Sequence, residues 1–453
     1  MKRSELTIDD LAFGGEGVGR VEGYVIFVRG ALPGDRVRVR IVEARSRFGR
    51  GVIRIDRVPV RRSGRARRAP TSAAAAAAVS STSRIPRSWR SRRSRCAIAS
   101  ERIGGLGDFE LRPILAAPDP YGYRNKMEFT IVRPGAGDGP AIGLHQADRY
   151  DVVLDIDRCL LQSDTMNVLL DELRTQARAR AAFRLRPATR ARGSCASRPL
   201  REGRRTGEAM VNIVTAAPDV VALGPVAERL RARVPSVASV VLNVNAKKAS
   251  RRGGLEEHLL LGRDHIRESL GGLTFQVSAN SFFQTNTVQA ERLFAVVEAA
   301  CELTGRETVV DLYSGTGAIS LLLARRCRCV YGIEVAPAAV ADAVRNAREN
   351  GIENCTFLPG EVRHVLPTLT RDGVRAGGCG GGPAAGRIPS QGAQALATLG
   401  PERLVYVSCN PSTLARDVGD LVRQGYRLEW VEPVDMFPQT PHIEAVARLH
   451  RAP

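Results

Sequence analysis

The chain has 453 residues, with 67 basic and 47 acidic side chains and a formal charge of +20, long enough for two or three domains with sizeable cores. Its nine cysteines form no close, even framework, MKRSELTIDD opens without a leader-type apolar stretch, and no run of about 18 apolar residues occurs. A signal peptide and a membrane span are therefore not expected, and a soluble cytoplasmic protein with reduced thiols is.

The charge is concentrated. Eleven arginines fall between Arg61 and Arg95, in a stretch with no acid from 57 to 100, and nine more fall in the acid-free stretch 173–201. These twenty equal the whole basic excess. A nucleic-acid surface spreads its charge over folded elements aimed at phosphates, so the total alone is poor support for one.

Residues 1–57 read as a small all-β module: alternating runs at 24–28, 36–42 and 51–55 are separated by the turns Gly14-Gly15-Glu16-Gly17 and Leu32-Pro33-Gly34-Asp35,. Five or so short strands closing on themselves make an OB-like barrel. Residues 58–100, with six consecutive alanines, Arg/Ser clusters and no apolar period, predict no packed element. A β-rich central domain follows over 101–285, with antiparallel strands up to DIDRCLL, an amphipathic helix at 164–176, loss of order through 178–200, a strand at 208–214 and a helix at 226–233. From 286 to 453 strand–helix alternation predicts an α/β domain with a parallel sheet. Its strands are placed at 308–313, 329–334, 355–358, 404–407, 427–434 and 443–449, the last antiparallel, with helices at 319–326 and 338–350. Between 366 and 404 the pattern fails. Seven glycines stand between Gly373 and Gly386, a density that resists strand formation, so the sheet is expected to lack the strand and helix beside its first strand, at the ligand-binding switch point.

Asp311-Leu-Tyr-Ser-Gly-Thr-Gly317 ends the first strand in a turn where Gly315 and Gly317 let backbone approach a ligand,. Glu334, ending the next strand, is placed for a pair of ribose hydroxyls. Two glycines rather than three suit S-adenosylmethionine better than a dinucleotide; the plainer alternative is an ordinary strand–turn–helix. Cys409 ends an apolar strand and precedes Asn410-Pro411, where a helix can start and favour a thiolate. A buried cysteine is more often an inert hydrophobe, and Glu444 and His442 alone read as a solvated strand residue and a structural histidine. Together and in this order, a thiol, a late carboxylate and a cofactor turn suggest covalent methyl transfer to a pyrimidine.

Six stretches carry a family resemblance: GYRNKMEFT (122–130), SANSFFQTN (278–286), VVDLYSGTG (309–317), VYGIEV (330–335), VYVSCNPSTLARD (405–417) and VDMFPQTPHIEAVA (434–447). With the FGGEGVGR and VIFVRGALPGDRVRVRI turns of residues 1–57, which resemble a TRAM domain, they make the chain similar to the RNA uracil-C5 methyltransferase family. The resemblance implies a class I, Rossmann-like catalytic domain in which Cys409 is the nucleophile, Glu444 the general base, and Gln284, Tyr313 and Glu334 contact S-adenosylmethionine. It implies RNA as the partner of a monomer, with Arg124 and Lys126 as phosphate contacts (a solvated basic turn is the alternative) and 23S ribosomal RNA preferred to transfer RNA. Cytosine-C5 methylation and a catalytically impaired RNA-binding relative are the alternatives.

The chain departs from the family in three places. Only Cys96 stands in 58–100 where three close cysteines would hold an iron–sulfur cluster; Cys159 matches the fourth ligand but cannot hold a cluster alone, so none is expected. Residues 178–200 replace a regular region. The Asp-Pro-Pro-Arg motif is missing from 371–393, and Asp372 is no substitute. The shared Arg/Ala/Gly/Ser bias of these segments, and the abrupt return of family-like sequence after each, fit out-of-frame translation bounded by compensating shifts.

Overall fold

The structure is a computed structural model that describes residues 3–12, 16–31, 34–46, 48–57, 93, 96–97, 99–100, 104–132, 140–146, 149–179, 196–215, 218–244, 256–384 and 390–452. The N-terminal strands are β1 (Arg3–Leu11), β2 (Gly17–Val21), β3 (Tyr24–Val28), β4 (Arg36–Ala44) and β5 (Phe48–Arg57). They close into a barrel in the order β1-β2-β3-β5-β4. Strict alternation dictates this: along β4, Val37 and Val39 are buried while Arg36, Arg38 and Arg40 face out,. Leu6, Ile8, Ile26, Val28 and Ala31 join the two valines in the barrel core, each large side chain contributing about 1.5–3 kcal/mol of burial. A Cβ on Gly17 would come within 2.7 Å of the Ala31 carbonyl oxygen, which explains the glycine-rich entry to β2.

The chain continues through β6 (Glu110–Leu111), β7 (Lys126–Val132), β8 (Ala141–Gln146), β9 (Arg149–Asp155), α1 (Asp164–Ala179), β10 (Ala196–Glu202), β11 (Ala209–Thr215), α2 (Val220–Arg233), β12 (Val237–Val244), β13 (Glu256–Gly262), β14 (His265–Leu270) and β15 (Leu273–Ser278). Then come α3 (Thr287–Cys301), β16 (Thr308–Leu312), α4 (Ala318–Ala324), β17 (Cys329–Glu334), α5 (Pro337–Glu349), β18 (Cys355–Pro359), α6 (Val362–Arg371), β19 (Gly378–Ala384), α7 (Ser390–Leu399), β20 (Arg403–Ser408), α8 (Pro411–Arg423), β21 (Tyr426–Val434) and β22 (Glu444–Arg451).

Contacts gather the chain into two compact units, residues 1–69, 77–117 and 383–453 in one, and 70–76 and 118–382 in the other. The first holds the barrel and the strand set β20-β22-β21-β6, in which β22 runs antiparallel to both neighbours and β21 parallel to β6. The second holds a seven-stranded sheet ordered β13-β12-β11-β10-β7-β8-β9, the β14-β15 hairpin, and the parallel set β18-β17-β16-β19. Among the described residues no helix is long and apolar enough to cross a membrane.

Three expectations need correction. The strand said to be missing from the parallel set is present: β19 pairs with β16, Val309 opposite Gly378 through Leu312 opposite Gly381, and α7 follows it. A ladder is made of backbone amides and carbonyls, so glycine weakens a strand without preventing one when a rigid neighbour supplies the template. Order also returns earlier than expected after α1. β10 lies between β7 and β11, and Arg201 is 3% exposed in it. An arginine in an interior position hides the apolar alternation that marks a strand. Within 58–100, residues 58–92 lie outside the described residues, but Arg93, Cys96, Ala97, Ala99 and Ser100 are helical, and Cys96 is buried. Most of the 178–200 segment, 180–195, also lies outside the described residues.

Candidate active site

The cofactor turn begins where β16 ends. Asp311 is fully buried; Ser320 Oγ donates to its Oδ2 at 2.5 Å, while Oδ1 has no partner. Burial pushes this carboxyl up to about 7 against the Ser320 hydrogen bonds, with the Glu334 charge adding to the rise. Tyr313, Gly315 and Gly317 all take positive φ, 60°, 56° and 85°, so the chain turns sharply back on itself in three steps. A Cβ on Gly317 would sit 2.9 Å from Phe357 Cζ, which makes glycine obligatory there. Glu334 closes the turn: the Gly315 N–H donates to Oε2 at 3.1 Å and the Ala336 N–H to Oε1 at 2.8 Å. Each oxygen keeps a second lone pair. A tight glycine cradle, a half-buried carboxylate and the orphaned Asp311 Oδ1 and Ser314 Oγ fit an adenosyl cofactor carrying hydroxyls and an ammonium group. The sequence singled out Tyr313, Gly315, Gly317 and Glu334 but not Asp311, whose signal is an acid inside the apolar run VVDL.

Gln284 lies on the arm that leads from β15 into α3. It is buried, and its carbonyl oxygen accepts from Asn125 Nδ2 at 2.8 Å. Asn125 also donates to Thr287 Oγ1 at 2.9 Å, and its amide to the Thr285 carbonyl at 2.8 Å. Thr287 in turn donates to the buried Glu268 at 2.7 Å. Asn125 is thus the residue of GYRNKMEFT that the arm depends on, flanked by the two predicted phosphate contacts. Arg124 is half-buried with its guanidinium 6.0 Å from the Tyr123 ring centre. Lys126 ion-pairs with Glu128 at 2.7 Å, which places it in a partly exposed surface pair rather than an open cationic site.

Cys159 is buried, its backbone fixed by Asn167, which accepts from the Cys159 amide at 2.9 Å and donates to its carbonyl at 3.0 Å. Burial pushes its thiol up, the opposite of a metal ligand's need. Among the described residues no group of three or more His, Cys, Asp or Glu side chains could hold a metal ion. Among the described residues, Cys159 stands in no ligand set that would fit an iron–sulfur cluster.

The thiol and the late carboxylate belong to the unit that contains β20 to β22. Ser408 pairs with Ala445 at the end of the β20–β22 ladder, so the next positions in that antiparallel register are Cys409 and Glu444. Asn410 caps α8 by accepting from the Ser412 N–H at 2.9 Å, with Pro411 in the first turn,. Glu444 is 2% exposed, its Oε2 has no partner, and burial raises its carboxyl to about 8. Cys409 is half-buried. Its thiol is pushed up, first by burial and then by the Glu444 charge, against one backbone hydrogen bond. Desolvation and the like charge thus act against the help expected from the helix start, which is worth about 0.3–1 kcal/mol and up to about 2 kcal/mol when partly buried. His442 is exposed, its ring edge-on to Phe437 at 6.3 Å.

Comparison with known proteins bears on the family and the fold. The TRAM domain family matches residues 2–53 and the methyltransferase domain family residues 303–374. A protein of Halalkalibacterium halodurans named as an RNA methyltransferase is 34% identical over 98% of this chain and 96% of its own. One of Gloeobacter violaceus with the same description is 37% identical over the same shares. Among solved structures, the Pyrococcus abyssi tRNA (uracil-54, C5)-methyltransferase in complex with S-adenosyl-L-homocysteine superimposes with a TM-score of 0.73 at 27% identity, covering 99% of this chain and all of that one. An N-terminal TRAM barrel, a mixed α/β catalytic domain and relatives aligned end to end show that the chain belongs to the class I, S-adenosylmethionine-dependent RNA methyltransferases.

Proposed function

We propose that the protein methylates C5 of a uridine in RNA through a covalent Cys409–C6 adduct. The observation that carries this reading is the antiparallel register that ends with Ser408 opposite Ala445, which makes Cys409 and the buried Glu444, whose Oε2 has no partner, the next positions in line. C5 of uracil is too weakly nucleophilic to take a methyl group unaided. The Cys409 thiolate adds to C6, the C5–C6 π pair moves toward C5 and O4, and C5 becomes the nucleophile. S-adenosylmethionine, held by Tyr313, Gly315, Gly317, Glu334 and Gln284, supplies an electrophilic methyl group when bound. Once C5 carries the methyl group, Glu444 removes the C5 proton, the π bond re-forms and the C6–S bond breaks to return the thiolate. A carboxyl near 8 is a stronger base than an ordinary carboxylate, which suits a carbon acid. The uridine must leave its stack for this to happen.

The proposed division is a TRAM barrel over 1–57, a β-rich central domain over 101–285 and the catalytic domain over 286–453, acting as a cytoplasmic monomer. Arg124 is the proposed phosphate contact, with Lys126 available once it leaves Glu128. Ribosomal RNA is the substrate favoured by the TRAM barrel. The activity named for the Pyrococcus abyssi structure favours transfer RNA as the second reading.

RNA carrying 5-fluorouridine tests the mechanism, because fluorine cannot leave as a cation. The protein should form a denaturant-stable adduct with it in the presence of cofactor, and Cys409→Ala should form none. An adduct that persists in Cys409→Ala, or 5-methylcytidine as the product on ordinary RNA, overturns the proposal. Mass spectrometry of methylated ribosomal and transfer RNA separates the two substrate readings.

A further inference from the structure

The hairpin strand β15 pairs with β14 alone, yet its outer edge is covered by the helix that follows Glu334. Three polar side chains of α5 and its C-terminal cap, Asp342, Asn346 and Asn350, stand one helical turn apart and meet alternate residues of β15. Asn350 Oδ1 accepts from the Thr274 N–H at 2.8 Å and its Nδ2 donates to the Thr274 carbonyl at 2.7 Å. Asn346 Oδ1 accepts from the Gln276 N–H at 2.8 Å. Asp342 Oδ2 accepts from Ser278 Oγ at 3.0 Å and also from Ser281 Oγ. The match is metric. Four helical residues rise about 6 Å, two strand residues about 6.7 Å, so an i, i+4, i+8 row of side chains can satisfy the alternate outward backbone groups of an edge strand.

Asn346 does a second thing: its Nδ2 donates to the carbonyl of Thr316, inside the cofactor turn, at 3.1 Å. One fully buried side chain therefore joins the turn that holds the cofactor to the strand that leads into Gln284. We infer that Asp342, Asn346 and Asn350 are positioning residues, a polar ladder that fixes the 273–286 arm to the cofactor turn so that cofactor binding and arm order are coupled. This rests on the reading of Gln284 as a cofactor contact.

Amide exchange of the 273–281 segment, with and without S-adenosylhomocysteine, tests it in the full-length protein. In the wild type the ligand should slow exchange at Thr274 and Gln276. In Asn346→Leu, with the same branched outline but neither bond, exchange should be faster, the ligand should no longer slow it, and affinity should fall about tenfold. Asn350→Leu should speed exchange with a smaller loss of affinity, since it does not touch the turn. Ligand-insensitive arm exchange in the wild type, or unchanged exchange in Asn346→Leu, overturns the inference. Gln284→Ala separates the underlying reading. It should weaken S-adenosylhomocysteine while leaving ligand-free exchange at Thr274 and Gln276 as in the wild type; undiminished affinity in that variant refutes the role of Gln284, and arm exchange in Asn346→Leu then decides the ladder by itself.

Discussion

Replacing Glu444 by Gln should change how stability depends on pH, and by a large amount. Burial moves this carboxyl from an ordinary 4.5 to about 8. At about 1.4 kcal/mol per tenfold change in proton affinity, the ionised form costs the folded state roughly 5 kcal/mol. Between those two pH values the folded chain keeps a proton that the unfolded chain has released, so stability falls as pH rises through the window. Below it the penalty is absent; above it the penalty is complete; at neutral pH roughly 3 kcal/mol is expressed. Glutamine cannot ionise, so Glu444→Gln removes the slope and leaves only a constant offset from its own buried amide. Urea unfolding of both proteins at about pH 5, 7 and 9 measures the difference, which should be smallest at the acid end and grow in favour of the variant toward the alkaline end. Parallel curves for the two proteins would refute the assignment of a buried, proton-holding carboxyl at this position.

The methylation rate, as kcat/KM, should climb from about pH 6.5 to about pH 9, because both Glu444 and the Cys409 thiol are raised and the proposed mechanism uses both in ionised form; a flat or falling profile counts against the pair. Gly317→Ala places a Cβ 2.9 Å from the Phe357 ring at φ +85° and should cost about 1–3 kcal/mol, read as weakened S-adenosylhomocysteine binding by calorimetry; unchanged affinity would show that the turn relaxes freely. Ile26→Ala, at a fully buried barrel position, should destabilise the barrel by about 2–4 kcal/mol while calorimetric cofactor affinity stays as in the wild type, and a lost cofactor affinity would contradict this.

What could be read in advance was wherever side chains carry the signal. The barrel follows from the alternation around Val37 and Val39, and the cofactor turn from Gly315 and Gly317. The thiol–carboxylate pairing needed the antiparallel last strand, which the sequence also suggested. Four things were hidden for physical reasons. Strand β19 pairs by its backbone with Val309–Leu312, and its glycine-rich sequence carries no strand signal. Strand β10 buries Arg201, held at the Ser281 carbonyl, so its inward face looks polar. The direction of the Cys409 shift depends on how deeply the thiol and Glu444 are buried together, which no residue pattern reports. The ladder of Asp342, Asn346 and Asn350 was equally silent: polar residues one turn apart on a helix read as a solvated face until a strand edge is found against them.

The register that brings Cys409 level with Glu444 also bears on the enzyme at rest. A thiol raised by its own burial and by the Glu444 charge stays capped with hydrogen in the free protein. A sulfur in that condition is a slow target for peroxides and alkylating agents, so the arrangement shelters the atom on which the proposed mechanism depends. Under the proposed mechanism, reactivity would be granted by the RNA rather than stored in the protein, and idle molecules would age slowly.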